Sequence, residues 1–325
     1  MSVTGRCRPD AVVVGCGVIG LTTAITLQES GLTVQIWTGA PPESSTSAVA
    51  GATWFPYRAH PVDRVLGWSG VSKAHFDAMA GDPHTGVLIR ESLQLWREDL
   101  GADPWWASAV PDLTRCAEED LPAGFRGAYC FTQPVVTMPV HLPYLTRRFC
   151  EGGGTVVTRT VSSLGEGAAA ADVLVNCTGM AAGDLTGDTG LVPVRGQWVR
   201  VGNPGITKVV ADFGHPGGEA YIIPHEDSCI LGGTADEGAW ETTPSMETAA
   251  AIIARCAGLD PRLLEAPVLE HRAALRPVRP SGVRLELEPT DDDGILVHNY
   301  GHGGSGVTLS WGCAEEVKDL VLSRL

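Results

Sequence analysis

Gly15-Cys-Gly-Val-Ile-Gly20 stands between a short β-branched run, Ala11 to Val14, and a stretch from Val18 to Ser30 whose apolar residues recur at helical spacing. Such a G-x-G-x-x-G between strand and helix constrains the fold tightly. The first glycine permits the tight turn, the second lets the backbone approach a pyrophosphate, and the third lets helix and strand pack closely. The helix N-terminus then offers free N–H groups and a positive dipole end to the diphosphate. Gly31 ends the helix, and Leu32 to Trp37 reads as a second strand, completing a Rossmann-type βαβ unit. Such a unit usually ends its second strand with an acidic residue for a ribose hydroxyl. Here the sequence is Ile36-Trp37-Thr38-Gly39, without a carboxylate. Thr38 or the cluster Ser45-Thr46-Ser47 is left to hold the ribose, and the glycines alone do not separate NAD from FAD.

The rest of the chain sets the limits. A length of 325 residues suggests two domains, and 44% apolar residues suffice for a sizeable core. The formal charge of −15 repels phosphate backbones and anionic headgroups, so neither nucleic acid nor a membrane surface is an expected partner. Nine cysteines from Cys7 to Cys313 include no C-x-x-C pair, which suits reduced, mostly buried thiols and a cytoplasmic setting. The uncharged run Ala11 to Gln28 superficially looks like a secretory signal. Its glycines and direct continuation into another strand place it in the fold instead. Gly127 to Val140 contains Pro134 and Pro139 and is not expected to span a bilayer.

The irregular stretch Gly39 to Tyr57 is long enough to suggest a functional loop. Helices are expected at Ser69 to Met79, Thr85 to Leu100, His141 to Glu151 and Ser245 to Ala257. Strands are expected at Thr155 to Thr158, Val173 to Asn176, Val283 to Leu287 and Ile295 to His298. Residues 191 to 235 alternate short β-type runs with turn residues, the pattern of an antiparallel sheet. A last helix puts Val307, Trp311, Ala314, Val317 and Val321 on one face.

Further motifs follow in order: Ser45-Thr46-Ser47 with Ala50-Gly51-Ala52-Thr53-Trp54, Val175-Asn-Cys-Thr-Gly179, Arg195-Gly-Gln197, Tyr221-Ile-Ile-Pro224, Arg276-Pro-Val-Arg-Pro280 and Asn299-Tyr-Gly-His-Gly-Gly304. With the glycine fingerprint, this series resembles the D-amino-acid oxidase family of flavoenzymes from Val12 to Trp311. The resemblance implies an α/β protein with a discontinuous Rossmann-type FAD-binding domain, from 1 to 57, 139 to 190 and 271 to 325. A mixed or antiparallel-sheet substrate domain would take up 58 to 138 and 191 to 270. It implies noncovalent FAD contacts at Val18, Ile19, Ser45, Thr46, Ser47, Gly51, Ala52, Val161, Thr178 and Arg276, and at Gly303, Gly304, Ser305, Gly306, Val307 and Thr308. Gly15, Gly17, Gly20 and Thr38 join them from the fingerprint.

The implied reaction is oxidation of a D-amino acid at Cα, with hydride passing to flavin N5, then reoxidation by molecular oxygen to hydrogen peroxide. The imino acid would hydrolyse to a 2-oxo acid and ammonia. Arg276 would grip the substrate carboxylate, a task suited to a planar guanidinium with parallel donors and a permanent charge. Tyr221 would donate to the same carboxylate, and the Gly304 carbonyl would accept from the amine. Arg279, in the same motif, is the candidate for a structural role, bonding to backbone. The family's lid is reduced to Asp212-Phe-Gly-His-Pro-Gly-Gly-Glu219, without a second tyrosine, and Ser305 stands where some relatives have tyrosine. Phe55 and Ile223 are candidate pocket walls. The expected pocket positions include no second arginine and His215 is only a weak candidate positive group, so neutral or apolar substrates are expected over D-aspartate and D-glutamate.

The alternatives are a flavin dehydrogenase or amine oxidase for glycine, a secondary amine or an acidic D-amino acid, and a flavin-binding sensor without turnover. A homodimer is the assembly considered. Ser323-Arg324-Leu325 is similar to a peroxisomal address, which matters only in a source with peroxisomes. Gly303-Gly-Ser-Gly-Val307 falls short of the G-x-S-x-G of serine hydrolases. His298 and His302 lack an H-E-x-x-H helix, and Asp291-Asp-Asp293 lacks calcium-loop spacing, so no metal is expected.

Overall fold

The computed structural model describes residues 8–57, 59–290 and 294–325. Cys7 and the turn expected at Asp291 to Asp293 lie outside them. The chain begins β1 (Ala11–Val14), α1 (Val18–Glu29), β2 (Val34–Thr38), with β1 and β2 parallel and Val13 opposite Ile36. It continues through α2 (Val62–Met79), β3 (Val87–Trp96), β4 (Thr114–Arg115), β5 (Gly127–Val136), α3 (Met138–Glu151), β6 (Thr155–Thr158), α4 (Gly165–Ala168), β7 (Val173–Asn176) and α5 (Ala182–Thr186). Then come β8 (Val192–Gly202), β9 (Val209–Asp212), β10 (Ala220–Pro224), β11 (Ser228–Gly232), β12 (Asp236–Glu237), α6 (Met246–Leu259), β13 (Val268–Val278), β14 (Arg284–Glu288), β15 (Ile295–Tyr300) and α7 (Gly306–Leu322).

The strands form two sheets. The first has the order β14-β15-β7-β1-β2-β6, parallel except for β14 at its edge. Every residue of β1 and β7 is buried, as expected of continuous apolar runs covered on both faces. Helix α1 is buried from Val18 through Leu27 apart from Ile19, threonines included, because it is wedged between α3 and α7. The Thr22 hydroxyl is satisfied internally, donating to the Val18 carbonyl at 2.9 Å.

The second sheet runs β12-β8-β11-β10-β9-β3-β5-β4, with β13 on the other edge of β8. It is mixed, since β3 and β9 are parallel among antiparallel neighbours. Strand β13 spans the segment boundary expected at 271, so Arg276 projects from the second sheet beside the first.

Two expectations are corrected. Thr85 to Leu100 is not a helix: Val87–Trp96 forms β3, in unbroken register with β5 from Val87–Val136 to Trp96–Gly127. Its buried face carries Ser92 and Gln94, while Ile89 is exposed, so the usual polar-out alternation is inverted. Pairing on both sides overrides the local preference. Nor are all cysteines free, because Cys116 and Cys130 form a disulfide where β4 pairs with β5. Cys16, Cys177, Cys229, Cys256 and Cys313 are buried thiols. Burial pushes those of Cys16, Cys177 and Cys256 up to about 12, which keeps them protonated.

Among the described residues no helix is long and apolar enough to cross a membrane.

Candidate active site

A cavity of about 690 Å³ lies outside the carboxyl ends of β1, β2, β6, β7 and β15 and extends over the inner face of the second sheet. That edge is where open parallel sheets bind ligands. Two of the three fingerprint glycines, Gly15 and Gly17, line the cavity. A Cβ at Gly15, where φ is +112°, would lie 2.4 Å from the Cys177 carbonyl oxygen, and one at Gly20 would lie 2.0 Å from that of Gly15. Gly15 lines the cavity, whereas Gly20 is spent on helix packing and does not. Gly17, Val18 and Ile19 line it, and the Val18 N–H donates to Ser47 Oγ at 3.0 Å. Gly17 caps α1 without a side chain and the first turn holds no acid, so apart from the Val18 N–H that Ser47 takes, the helix N-terminus presents its N–H groups to a diphosphate.

The structure supplies a reason for the missing ribose carboxylate. A Cβ at Gly39 would sit 2.7 Å from Thr160 Oγ1, so Asp or Glu there would require the Thr160 side chain to move. Thr38 and Ser45 line the cavity. Each donates its own proton nearby, Thr38 Oγ1 to the Ala40 carbonyl and Ser45 Oγ to that of Pro42, both at 2.6 Å. Their remaining lone pairs suit the donors of a ribose. Thr46 and Val161 complete this wall together with Arg159, whose guanidinium lies 4.1 Å from the Trp37 ring centre and pairs with Glu166 at 2.8 Å. Arg159 had no motif to announce it.

Gly51, Ala52, Thr178, Gly303, Gly304, Gly306 and Val307 also line the cavity. Ala52 has φ of +38°, a left-handed conformation uncommon outside glycine and frequent at functional corners. Helix α7 starts here, also without a capping side chain or an acid in its first turn. Its positive end suits negative charge in the cavity. Ser305 and Thr308, expected as cofactor contacts, do not line the cavity. Ser305 Oγ accepts from the Tyr57 N–H at 2.6 Å, and Thr308 Oγ1 accepts from the Phe55 N–H at 3.0 Å. Both hydroxyls hold the 53–57 segment as a cavity wall. The same use of Ser305 removes it as a nucleophile. His302, bonded to Asn299 Oδ1 at 3.1 Å, is driven down to about 3 by burial and stays neutral.

Arg276, Tyr221 and Gly304 meet at the junction of the sheets. Arg276 Nη1 donates to the Thr234 carbonyl at 2.7 Å, and no ion pair to Arg276 is present among the described residues. Arg279 differs sharply: its Nε meets Asp188 at 2.8 Å and its Nη1 donates to the Gly282 carbonyl at 3.1 Å. One arginine is used up by the fold, and the other keeps donors for a ligand. Two glycines make room for the pair. A Cβ at Gly196 would fall 2.4 Å from the Arg276 guanidinium carbon, and one at Gly232 would fall 1.8 Å from Tyr221 Cζ. Burial raises the Tyr221 phenol above its ordinary range against the opposing pull of Arg276, so it remains a donor. A Cβ at Gly304 would lie 2.5 Å from the Tyr57 ring and 3.4 Å from Arg276 Cδ, so the glycine lets the loop pack against both side chains.

Phe55 and Ile223 line the cavity. Over it, the short segment after β9 is fastened: Phe213 stacks on Phe55 with ring centres 5.8 Å apart, and Tyr57 donates to Glu219 Oε1. At its start, buried Asp212 holds Arg97 Nη2 at 2.6 Å. His215 is not in the wall; its Nδ1 accepts from the Gly217 N–H at 3.0 Å. Tyr57 therefore adds a second phenol, brought from the long loop rather than from the segment following β9.

The class defined by this fold and cradle is a two-sheet nucleotide-binding oxidoreductase. The model of the FAD dependent oxidoreductase family matches residues 10–320, and the chain belongs to the D-amino-acid oxidase-like family of FAD-dependent oxidoreductases, enzymes that hold the cofactor noncovalently. It is 52% identical over 321 residues to a D-amino-acid oxidase of Rubrobacter xylanophilus, covering 99% of this chain and 98% of the relative. It is 33% identical over 324 residues to a D-aspartate oxidase of Homo sapiens, covering 95% and 93%. Among solved structures, glycine oxidase from Geobacillus kaustophilus superposes with a TM-score of 0.82 at 21% identity, over 97% of this chain and 95% of that one, a likeness of fold.

Proposed function

We propose that the protein catalyses oxidative deamination of neutral D-amino acids, with molecular oxygen as electron acceptor. The observation that carries this reading is Arg276, a guanidinium on the cavity wall with no carboxylate partner among the described residues, beside the protonated phenol of Tyr221. A substrate carboxylate completes the pair. Bound FAD supplies hydride acceptance from Cα and return of both electrons to oxygen as hydrogen peroxide.

The chain's own work is positioning. Arg276 offers parallel N–H donors that orient the carboxylate as well as attract it. Tyr221 adds a third donor, and the Gly304 carbonyl takes an N–H of the amine, so that carboxylate and amine together fix where the Cα–H points. No side chain is required as a base when the amine arrives deprotonated. His302, neutral and already bonded, is consistent with that economy. Phe55, Tyr57 and Phe213 form a stacked aromatic wall beside the site. Near the Arg276 end the cavity wall also carries Glu219, a carboxylate that disfavours a second acidic group on the substrate.

A peroxide assay of the purified holoenzyme over D-alanine, D-leucine, D-aspartate and the L-enantiomers tests the reading. Peroxide from neutral D-substrates, with lower kcat/KM for D-aspartate, is expected. Absence of peroxide alongside anaerobic bleaching of the flavin would point to a dehydrogenase. A higher kcat/KM for D-aspartate than for every neutral substrate would remove the proposed charge preference. Assembly as a homodimer belongs to the same proposal and is tested by sedimentation of the holoenzyme.

A further inference from the structure

The charges on the cavity wall set what a substrate can carry beyond its own carboxylate. Among the described residues that line the cavity, Arg159, Glu219 and Arg276 have charged side chains. Arg159 pairs with Glu166, while Arg276 and Glu219 make no ion pair with each other or with any other described residue. Glu219 is half-buried and its backbone is held, the carbonyl accepting from the Gly233 N–H at 3.0 Å and from Arg255 Nε at 3.3 Å. Arg255 therefore serves the backbone and leaves the carboxylate without a cation. Tyr57 donates to Glu219 Oε1. Oε2 has no hydrogen-bond partner among the described residues and, unlike the Gln94 and Gln133 carbonyl oxygens, is not enclosed.

Two paths measure how far this carboxylate lies from the substrate head. Glu219 and Tyr221 are two residues apart at the start of β10, so their side chains leave one face with Cα atoms about 7 Å apart. From the amine side, the Tyr57 ring packs at Gly304 and its hydroxyl meets Glu219, a separation of one phenol. Burial is the largest influence on the Tyr221 phenol, after which Arg276 pulls it down and Glu219 pushes it up, so both charges reach the same group. An α-amine that is neutral when Cα gives up hydride leaves Glu219 without a counter-charge once Arg276 holds the carboxylate. A cation three or four methylenes out on the side chain spans the gap and supplies one. We infer that Glu219 is a specificity-determining residue that extends the substrate range to D-amino acids with such a cationic side chain, D-ornithine and D-lysine among them. The inference rests on the reading of Arg276 as the carboxylate anchor. The formal charge of −15 acts in the same direction, concentrating cationic over anionic substrates around the protein.

The experiment compares kcat/KM for D-ornithine and D-norleucine, which differ only in a terminal ammonium or methyl, in wild-type holoenzyme and in Glu219→Gln. Peroxide is the readout, and flavin content is measured in each preparation. The D-ornithine to D-norleucine ratio within each protein cancels any general loss of activity. Wild type is expected to use D-ornithine at least as well as D-norleucine, and Glu219→Gln to lower the ratio about five- to tenfold, the range of a charge-assisted contact partly open to water. A wild-type ratio below one overturns the assignment. So does a ratio that Glu219→Gln leaves unchanged, which with both substrates slowed alike would put Glu219 on the α-amine instead. If Glu219→Gln fails to retain flavin, the wild-type ratio decides alone. Peroxide from D-norleucine with little from D-ornithine sinks only the role of Glu219, whereas no peroxide from any D-amino acid sinks the function on which it rests.

Discussion

Replacing Arg276 with alanine removes a guanidinium at the sheet junction that has no carboxylate partner among the described residues. In the free protein its polar bond is to the Thr234 carbonyl, at 2.7 Å, and the residue is half-buried, so water can take over that carbonyl and the fold should survive. The loss falls on the bound carboxylate. Two charge-assisted bonds at about 1.5 to 3 kcal/mol each set a ceiling near 6 kcal/mol. Water entering the vacated space recovers part of it, leaving about 2 to 5 kcal/mol. That is roughly 30- to several-thousand-fold in kcat/KM. Arg276→Lys should also be poor, because an ammonium on a flexible stem cannot reproduce the paired donors. Tyr221→Phe deletes one donor and should cost less, about 1 to 2 kcal/mol. The assay is peroxide formation across substrate concentration, with flavin content measured in the same preparation. Near-normal kcat/KM in Arg276→Ala with full flavin content would refute both the anchor and the positioning argument.

Gly232→Ala places a methyl where the Tyr221 ring now lies, so the phenol must move; kcat/KM should fall at least as far as in Tyr221→Phe while flavin stays bound, and steady-state kinetics of the two variants side by side decide it. Ser47→Ala removes the acceptor of the Val18 N–H and should weaken FAD retention, read as flavin lost on dilution and filtration, with little change for enzyme saturated by added FAD. Acid should destabilise the protein because His141, His225 and His302 are pushed down by burial from 6.5 to about 4, about 4 and about 3. They are neutral when folded, so below 6.5 the unfolded chain binds more protons; the stability is complete above that pH and drains away as pH falls toward 4. At pH 5.5 each costs about 1.4 kcal/mol relative to neutral pH, on the order of 4 kcal/mol together. An unchanged urea midpoint between pH 7.5 and pH 5.5 would contradict this.

Local sequence determined the nucleotide cradle, because its physics is local. Gly15, Gly17 and Gly20 act within one strand–turn–helix, and the runs at Ala11, Thr155 and Val173 are short, apolar and bounded by turn residues, so period and punctuation suffice to read them. Arg276, Tyr221 and Gly304 were legible only through motif order, since nothing in a single arginine says what it will face. Contacts between distant parts of the chain decided the rest. Asp188, ninety-one positions from Arg279, makes that arginine structural and leaves Arg276 to the cavity. Thr160 packs beside Gly39, and the hydroxyls of Ser305 and Thr308 are claimed by the backbone of Tyr57 and Phe55. The clearest case is β3, where a helix was expected. Its polar residues Ser92 and Gln94 are buried because pairing with β5 and β9 encloses that face, and only this pairing brings Gln94 and Gln133 to the cavity wall. A chain's period records which residues share a face, while what that face meets depends on strands that arrive later in the sequence.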